Sequence, residues 1–311
     1  MQILMPNRLN RFIKASFLGG FFVVVFLVLT ACNTAREDKK MVFRYNEPAG
    51  IPSLDPAFAK EKSSIWAVQQ LYEGLVALDV NNYISPALAD DWKIDSTATV
   101  YTFRLRDAQF HNGKSVTAQD VVYSLTRLKD PRVASPGSWV VEGVSAFREI
   151  DASTVEIVLQ EPNSSFLSLL AMPFCSIIPS GETALNSAPV GTGPFKFHVW
   201  HYGEKLVLHK NEMYWRIDSA GVQLPYLDGI SISFLTDQQS AFLEYLRGNF
   251  DFLPNLDPSF KDDLLTRQGM PQERYITEHT LVRSPFLNTE YLVFNAERPL
   301  PRDLRWAINA S

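Results

Sequence analysis

Residues 86–127, PALADDWKIDSTATVYTFRLRDAQFHNGKSVTAQDVVYSLTR, hold two strand-like pieces, a tight turn and a capped helix in direct succession. Tyr101, Phe103 and Leu105 alternate with Thr102, Arg104 and Arg106, the period-two pattern of a strand buried on one side. His111-Asn112-Gly113-Lys114 then supplies an Asn-Gly pair that tolerates positive φ. Thr117 precedes Asp120 by the spacing of a capping box, in which each side chain can satisfy an open amide of the first turn. Val121, Val122, Leu125 and Leu128 give the helix that follows an apolar face. The stretch is scaffold, with no catalytic constellation in it.

Outward from this stretch, the chain carries further pieces of one pattern. Gln70–Val76 reads QLYEGLV, Val190–Phe195 reads VGTGPF, and Leu206–Trp215 reads LVLHKNEMYW. Gly248 and Asp251 have the spacing of G-x-x-D, with Leu246 one residue closer than an L-x-x-G pattern asks. Together with residues 86–127, these segments resemble the family 5 extracellular solute-binding proteins, the oligopeptide- and dipeptide-binding components of ABC importers. The resemblance implies an α/β fold of the periplasmic-binding-protein type (type II, large cluster C-like). It places a first lobe over 41–280, with an inserted β-rich subdomain at about 76–195. It also places the hinge crossing and the start of a second lobe at 281–311, so that this lobe is only begun. Family members continue further, so a truncated, non-transporting product of the same family is the alternative expectation.

The first residues predict export. Arg8, Arg11 and Lys14 precede an apolar run from Phe17 to Leu29, and no acid occurs before residue 32. A basic start, a short apolar core and a small residue before Cys32 make residues 1–31 a secretory signal peptide. The run is too short to span a bilayer comfortably. Leu29-Thr30-Ala31-Cys32 resembles a bacterial lipobox, which makes Cys32 the lipidation site and residues 32–40 a polar tether. Loss of the leader removes three of the 29 Lys and Arg residues and none of the 34 acids, leaving a formal charge of −8. That balance argues against a nucleic-acid partner. With Cys32 lipidated, Cys175 has no disulfide partner and sits in an apolar context, as an inert buried thiol.

Along the mature chain, Met41–Tyr45 is a strand candidate. Three prolines and a glycine between Pro48 and Pro56 then make an ordered, non-helical loop. The loop resembles the family's "E-P…L-D-P" turn near the cleft, and the resemblance makes Glu47, Ile51, Ser53, Leu54 and Asp55 the candidate ligand contacts. Ser63 or Ser64 is the expected cap of a helix with Ile65, Val68, Leu71 and Leu75 on its apolar face. Thr154–Leu159 is a strand and Phe166–Ala171 a short helix or turn. Pro225–Phe234, a helix capped by Asp237 and closed by Gly248, and Phe250–Leu253 form a β-α-β run. Tyr291–Asn295 is a further strand candidate, the passage between lobes, and Asp303–Ile308 begins a helix.

Reaction chemistry finds no foothold. Gly191-Thr192-Gly193 lacks the Lys-Ser/Thr of a phosphate loop and runs into a strand. His198 and His201 stand three apart in an extended segment without supporting acids, so no metal or cofactor is expected. No G-x-S-x-G and no supported Cys-His arrangement occurs. The reading is a non-enzymatic, lipid-anchored, monomeric solute-binding lipoprotein in the periplasm or on the outer face of the cell membrane. Its partners are a peptide or similar solute and the permease subunits of an ABC importer.

Overall fold

The computed structural model describes residues 40–254, 258–275, 279–282, 294, 297 and 300–309. The leader and Cys32 lie outside the described residues, and of the predicted strand Tyr291–Asn295 only Phe294 is described. The chain divides into two compact units, Met1–Pro254 and Asn255–Ser311.

In the first unit, β1 (Val42–Asn46), β8 (Phe195–His201), β9 (Lys205–Lys210) and β10 (Gly229–Ser233) form a mixed sheet in the order β1-β10-β9-β8. β1 runs parallel to β10, and the other pairs are antiparallel. Alternation decides which face is buried. Tyr45, Ile230, Ile232, Leu206 and Leu208 join one core with Ala67, Val68 and Leu71 of α1 (Lys62–Leu71). The expected serine cap of α1 is corrected: Glu61 is the N-cap, without a side-chain bond, and Ser63 and Ser64 lie inside the first turn. Both serines are buried, so their small side chains face the protein interior instead of the open amides.

A second sheet orders β4 (Ala89–Ile94), β5 (Val100–Leu105), β7 (Thr154–Leu159) and β6 (Val144–Asp151) as β4-β5-β7-β6, all antiparallel. Val121, Leu125 and Leu128 of α2 (Ala118–Lys129) pack with Tyr101, Phe103, Val155 and Ile157 in its core. The capping box at Thr117 and Asp120 forms as read. A small hairpin of β2 (Val76–Leu78) and β3 (Ile84–Pro86) precedes this sheet, and the five-residue α3 (Phe166–Leu170) follows it.

α4 (Gln238–Leu246) leaves β10 with Asp237 accepting from the Ser240 amide at 2.8 Å, and Gly248 follows it at φ +77°. The strand expected at Phe250–Leu253 reduces to a single parallel bridge, Tyr45 to Phe252. Pro254 has no amide hydrogen and cannot extend the ladder. The crossover still carries the chain from one side of β1 to the other. In the second unit, the described residues hold α5 (Lys261–Leu264) and α6 (Arg302–Asn309), with short 3-10 turns at Pro258–Phe260 and Glu273–Tyr275.

Candidate functional site

β1 is flanked by parallel neighbours on both sides, β10 and Phe252, so the chain that leaves its carboxyl end enters the position where open α/β sheets place ligands. This departing chain is the loop singled out by the sequence. Asn46, 3% exposed, ties it to the end of β10: its Nδ2 donates to the Leu235 carbonyl at 2.9 Å, and its Oδ1 accepts from the Leu235 amide at 2.8 Å. The Glu47 amide donates to the Ser233 carbonyl at 2.8 Å. A turn follows, closed by Gly50 donating to the Glu47 carbonyl at 3.0 Å with φ +69°, a left-handed conformation suited to glycine. The half-buried Glu47 carboxylate has no hydrogen-bond or ion-pair partner among the described residues. Burial, and then the charge of Glu47, hold the Tyr45 phenol well above its usual range.

The far end of the loop is anchored differently. Ser53 donates from its hydroxyl to Asn186 Oδ1 at 3.1 Å, and the Leu54 amide donates to the same oxygen at 2.7 Å. Leu54 is fully buried and Ile51 nearly so. Asp55 caps the turn at Pro56–Phe58 by accepting from the Ala57 amide at 3.0 Å, and its two oxygens meet Arg127 Nη1 and Nη2 at 2.8 and 2.5 Å. Of the five predicted contacts, then, Glu47 and Ser53 keep exposed surface, while Ile51, Leu54 and Asp55 are buried.

Asp55 leads into a groove of about 670 Å³ between α2 and residues 180–183, with Gln119, Tyr123, Thr126, Arg127, Ser180 and Thr183 among its lining residues. Its walls are held together by the capping carboxylate of α2. Asp120 Oδ2 accepts from the Thr117 amide and hydroxyl, both at 2.8 Å, and Oδ1 accepts from the Ser180 amide at 2.8 Å. Ser124 supports the same strip by accepting from the Ile178 amide at 2.9 Å. Burial opposes the Arg127 charge, but the hydrogen bonds and charge of Asp55 outweigh it and hold the guanidinium above its usual range. The groove therefore sets donors and hydroxyls on a fixed frame beside the apolar side chains of Val122 and Val133 and the acids Asp130 and Glu182.

Several singled-out residues serve the frame instead. His111 is clasped by the Gly-Thr-Gly segment: the Gly191 amide donates to its Nδ1 at 3.2 Å, and its Nε2 lies 3.0 Å from the Gly193 carbonyl. Burial lowers the imidazole pKa to about 4. An added Cβ at Gly191 would sit 2.0 Å from the Leu71 carbonyl oxygen, so that segment packs where only glycine fits. His198 stacks on His209 with centroids 4.0 Å apart. Among the described residues, no group of three or more metal-ligating side chains gathers. Cys175 is buried, and burial pushes its thiol up to about 12.

Sequence reasoning missed Glu73, whose carboxylate accepts from Tyr214 Oη at 2.9 Å and Trp215 Nε1 at 3.0 Å. The Arg106 guanidinium lies 3.5 Å from the Trp215 ring centroid. The acid and the Tyr-Trp pair both stand in quoted segments, but nothing local pairs them.

A mixed sheet with a crossover helix, a second sheet inserted between its strands, and a loop that leaves β1 and ends on the Asp55–Arg127 pair define a lobe of the periplasmic-binding-protein type. A sequence profile of the bacterial extracellular solute-binding proteins, family 5, matches residues 83–309, and the chain belongs to that family. It is 30% identical over 298 residues to the periplasmic murein peptide-binding protein MppA of Escherichia coli, covering 88% of this chain and 52% of that protein. The periplasmic oligopeptide-binding protein OppA of the same organism is 29% identical over 293 residues, covering 86% of this chain and 51% of OppA. The structure of the Helicobacter pylori periplasmic binding protein DppA in complex with the peptide STSA superposes with a TM-score of 0.65 at 27% identity, covering 74% of this chain and 50% of that one. The chain spans about half the length of the curated relatives it matches.

Proposed function

We propose that the chain is the solute-capturing, non-enzymatic component of an ABC importer, and that its ligand is a peptide or a solute of similar hydrogen-bonding character. The observation that carries this reading is a groove of about 670 Å³ whose wall residue Arg127 is paired with Asp55 of the loop, in a family 5 chain. A peptide main chain suits such a place, because fixed donors and acceptors hold its amides while wet surroundings tolerate varied side chains. On the loop itself, ligand contact falls to the half-buried Glu47 and Ser53, outside the lining of that groove, with Ile51, Leu54 and Asp55 holding the segment in place. Relatives described as periplasmic support an extracytoplasmic site of action. The reading includes a signal peptide at 1–31, an acylated Cys32 that anchors the mature chain, a first lobe over 41–280 with an inserted subdomain at about 76–195, a hinge crossing and the start of a second lobe at 281–311, and a monomer that docks on a permease.

Two experiments test it. Pooled di- to pentapeptides should raise the melting midpoint of the chain, because a ligand of the folded state stabilises it by mass action. A sharp melt that no pool moves sinks the peptide reading. Metabolic labelling with a tagged fatty acid should mark the wild-type chain and leave Cys32→Ala unlabelled; equal labelling of both removes the anchor.

A further inference from the structure

We propose that Arg127 is a ligand-contacting donor that selects uncharged carbonyl oxygens over carboxylates. This inference rests on the solute-binding reading and names the chemistry of its groove. Asp55 occupies one edge of the guanidinium through Nη1 and Nη2, and the two side chains are only 7% and 17% exposed, so the positive charge is neutralised inside the protein. The guanidinium carries more N–H donors than that edge uses, in a rigid fork. Nε has no partner among the described residues, and Arg127 lines the groove. A neutralised guanidinium with spare donors is an unusual wall element. It offers hydrogen bonds without offering net charge.

The surroundings sharpen the preference. Arg132, the other cation lining the groove, is paired with Asp130 at 2.7 Å. The Glu182 carboxylate accepts from the amides of Thr183 and Ala184 at 2.9 and 2.8 Å. Tyr72 is 2% exposed, and its hydroxyl, without a hydrogen-bond partner among the described residues, lies within the fields of Asp55, Glu182 and Arg127. A ligand carboxylate entering here meets the carboxylates of Asp130 and Glu182 in the lining and of Asp55 behind Arg127, and no unpaired cation. An amide carbonyl takes the same donors and brings no charge to be compensated. The groove therefore fits a peptide carbonyl or an Asn or Gln side chain.

The test uses the full chain and two tripeptides that differ only in the central residue, Ala-Gln-Ala and Ala-Glu-Ala, with dissociation constants from ligand-observed NMR at neutral pH. The wild type should bind the Gln peptide about tenfold tighter. Asp55→Asn keeps an acceptor for the Ala57 amide but strips the neutralising charge, and it should invert the order in favour of Glu. Arg127→Lys keeps a positive charge facing Asp55 but loses the fork, so Gln binding should weaken by about tenfold while the chain still melts in one cooperative step. If the wild type and Asp55→Asn rank the peptides alike, or if Arg127→Lys binds Gln as well as the wild type, Arg127 is scaffold only. If Asp55→Asn fails to fold, the Arg127→Lys arm decides. Binding of neither peptide by the wild type, when peptide pools do shift its melt, overturns this inference alone; the absence of any pool effect removes the parent reading along with it.

Discussion

Asp55→Ala should destabilise the first unit by about 4 kcal/mol, nearly all of it through two contacts that the substitution removes together. The first is the bidentate pair with Arg127, at 2.8 and 2.5 Å. Deleting one partner of a buried pair strands the other charge at about 3–5 kcal/mol. Arg127 can turn toward the groove and recover water, so the lower end applies, about 3 kcal/mol. The second contact is the cap on the Ala57 amide, which is about 1 kcal/mol more. Urea denaturation of wild type, Asp55→Ala, Arg127→Met and the double variant forms the assay. The midpoint should fall with the slope unchanged. The double variant should lose less than the two single losses combined, because the second substitution removes a charge already stranded. A loss below about 1 kcal/mol for Asp55→Ala, the range of an exposed ion pair, refutes the burial argument.

Three further outcomes follow from the same geometry. Burial raises the pKa of the Glu73 carboxyl, so the folded state holds its proton more tightly than the unfolded chain. Its contribution to stability is greatest below the unfolded pKa and is lost as pH rises through the folded value. Glu73→Gln should flatten that part of a melting-midpoint profile between pH 4 and 8, and an unchanged slope contradicts the assignment. Gly191→Ala should cost about 3 kcal/mol, since its Cβ lands 2.0 Å from a carbonyl oxygen of the backbone; a wild-type melt would show that the segment can shift aside. Leu125→Ala, at a fully buried position on α2, should cost about 2–5 kcal/mol by chemical denaturation, and a loss under about 1 kcal/mol would place Leu125 outside the core.

Local chemistry made much of this fold legible. β5 and β7 announce themselves by alternation, the start of α2 by Thr117 and Asp120, and α4 by Asp237 ahead and Gly248 behind, since each signal acts over a few residues. Where the outcome depends on distant chain, the sequence is mute. Asp55 and Arg127 are 72 positions apart, and Glu73 and Tyr214 are 141 apart. The serines at 63 and 64 look like caps because serine satisfies open amides well, but the helix starts at Lys62 and turns both inward. Phe250–Leu253 has strand composition, yet Pro254 lacks the amide that a longer ladder would use. The loop at 47–55 was legible as ordered from its prolines, while the division of its side chains into exposed and anchoring ones was not.

That division bears on how the proposed site would work. The loop is fixed at one end by the Asn46 carboxamide on Leu235, and at the other by Asn186 on Leu54 and Arg127 on Asp55. Pro48 and Pro52 restrict the backbone between these anchors, and fewer conformations are lost when such a segment is held. A rim arranged in this way is already in its final shape before a ligand arrives, so binding does not have to order it. Of the five residues expected as ligand contacts, Ile51, Leu54 and Asp55 are then the ones whose burial keeps Glu47 and Ser53 in place. Substituting Asp55 should for that reason affect affinity through the position of the loop as well as through the charge of the groove, whereas Glu47→Gln, at a half-buried side chain with no partner among the described residues, should leave the fold intact and act on the ligand alone.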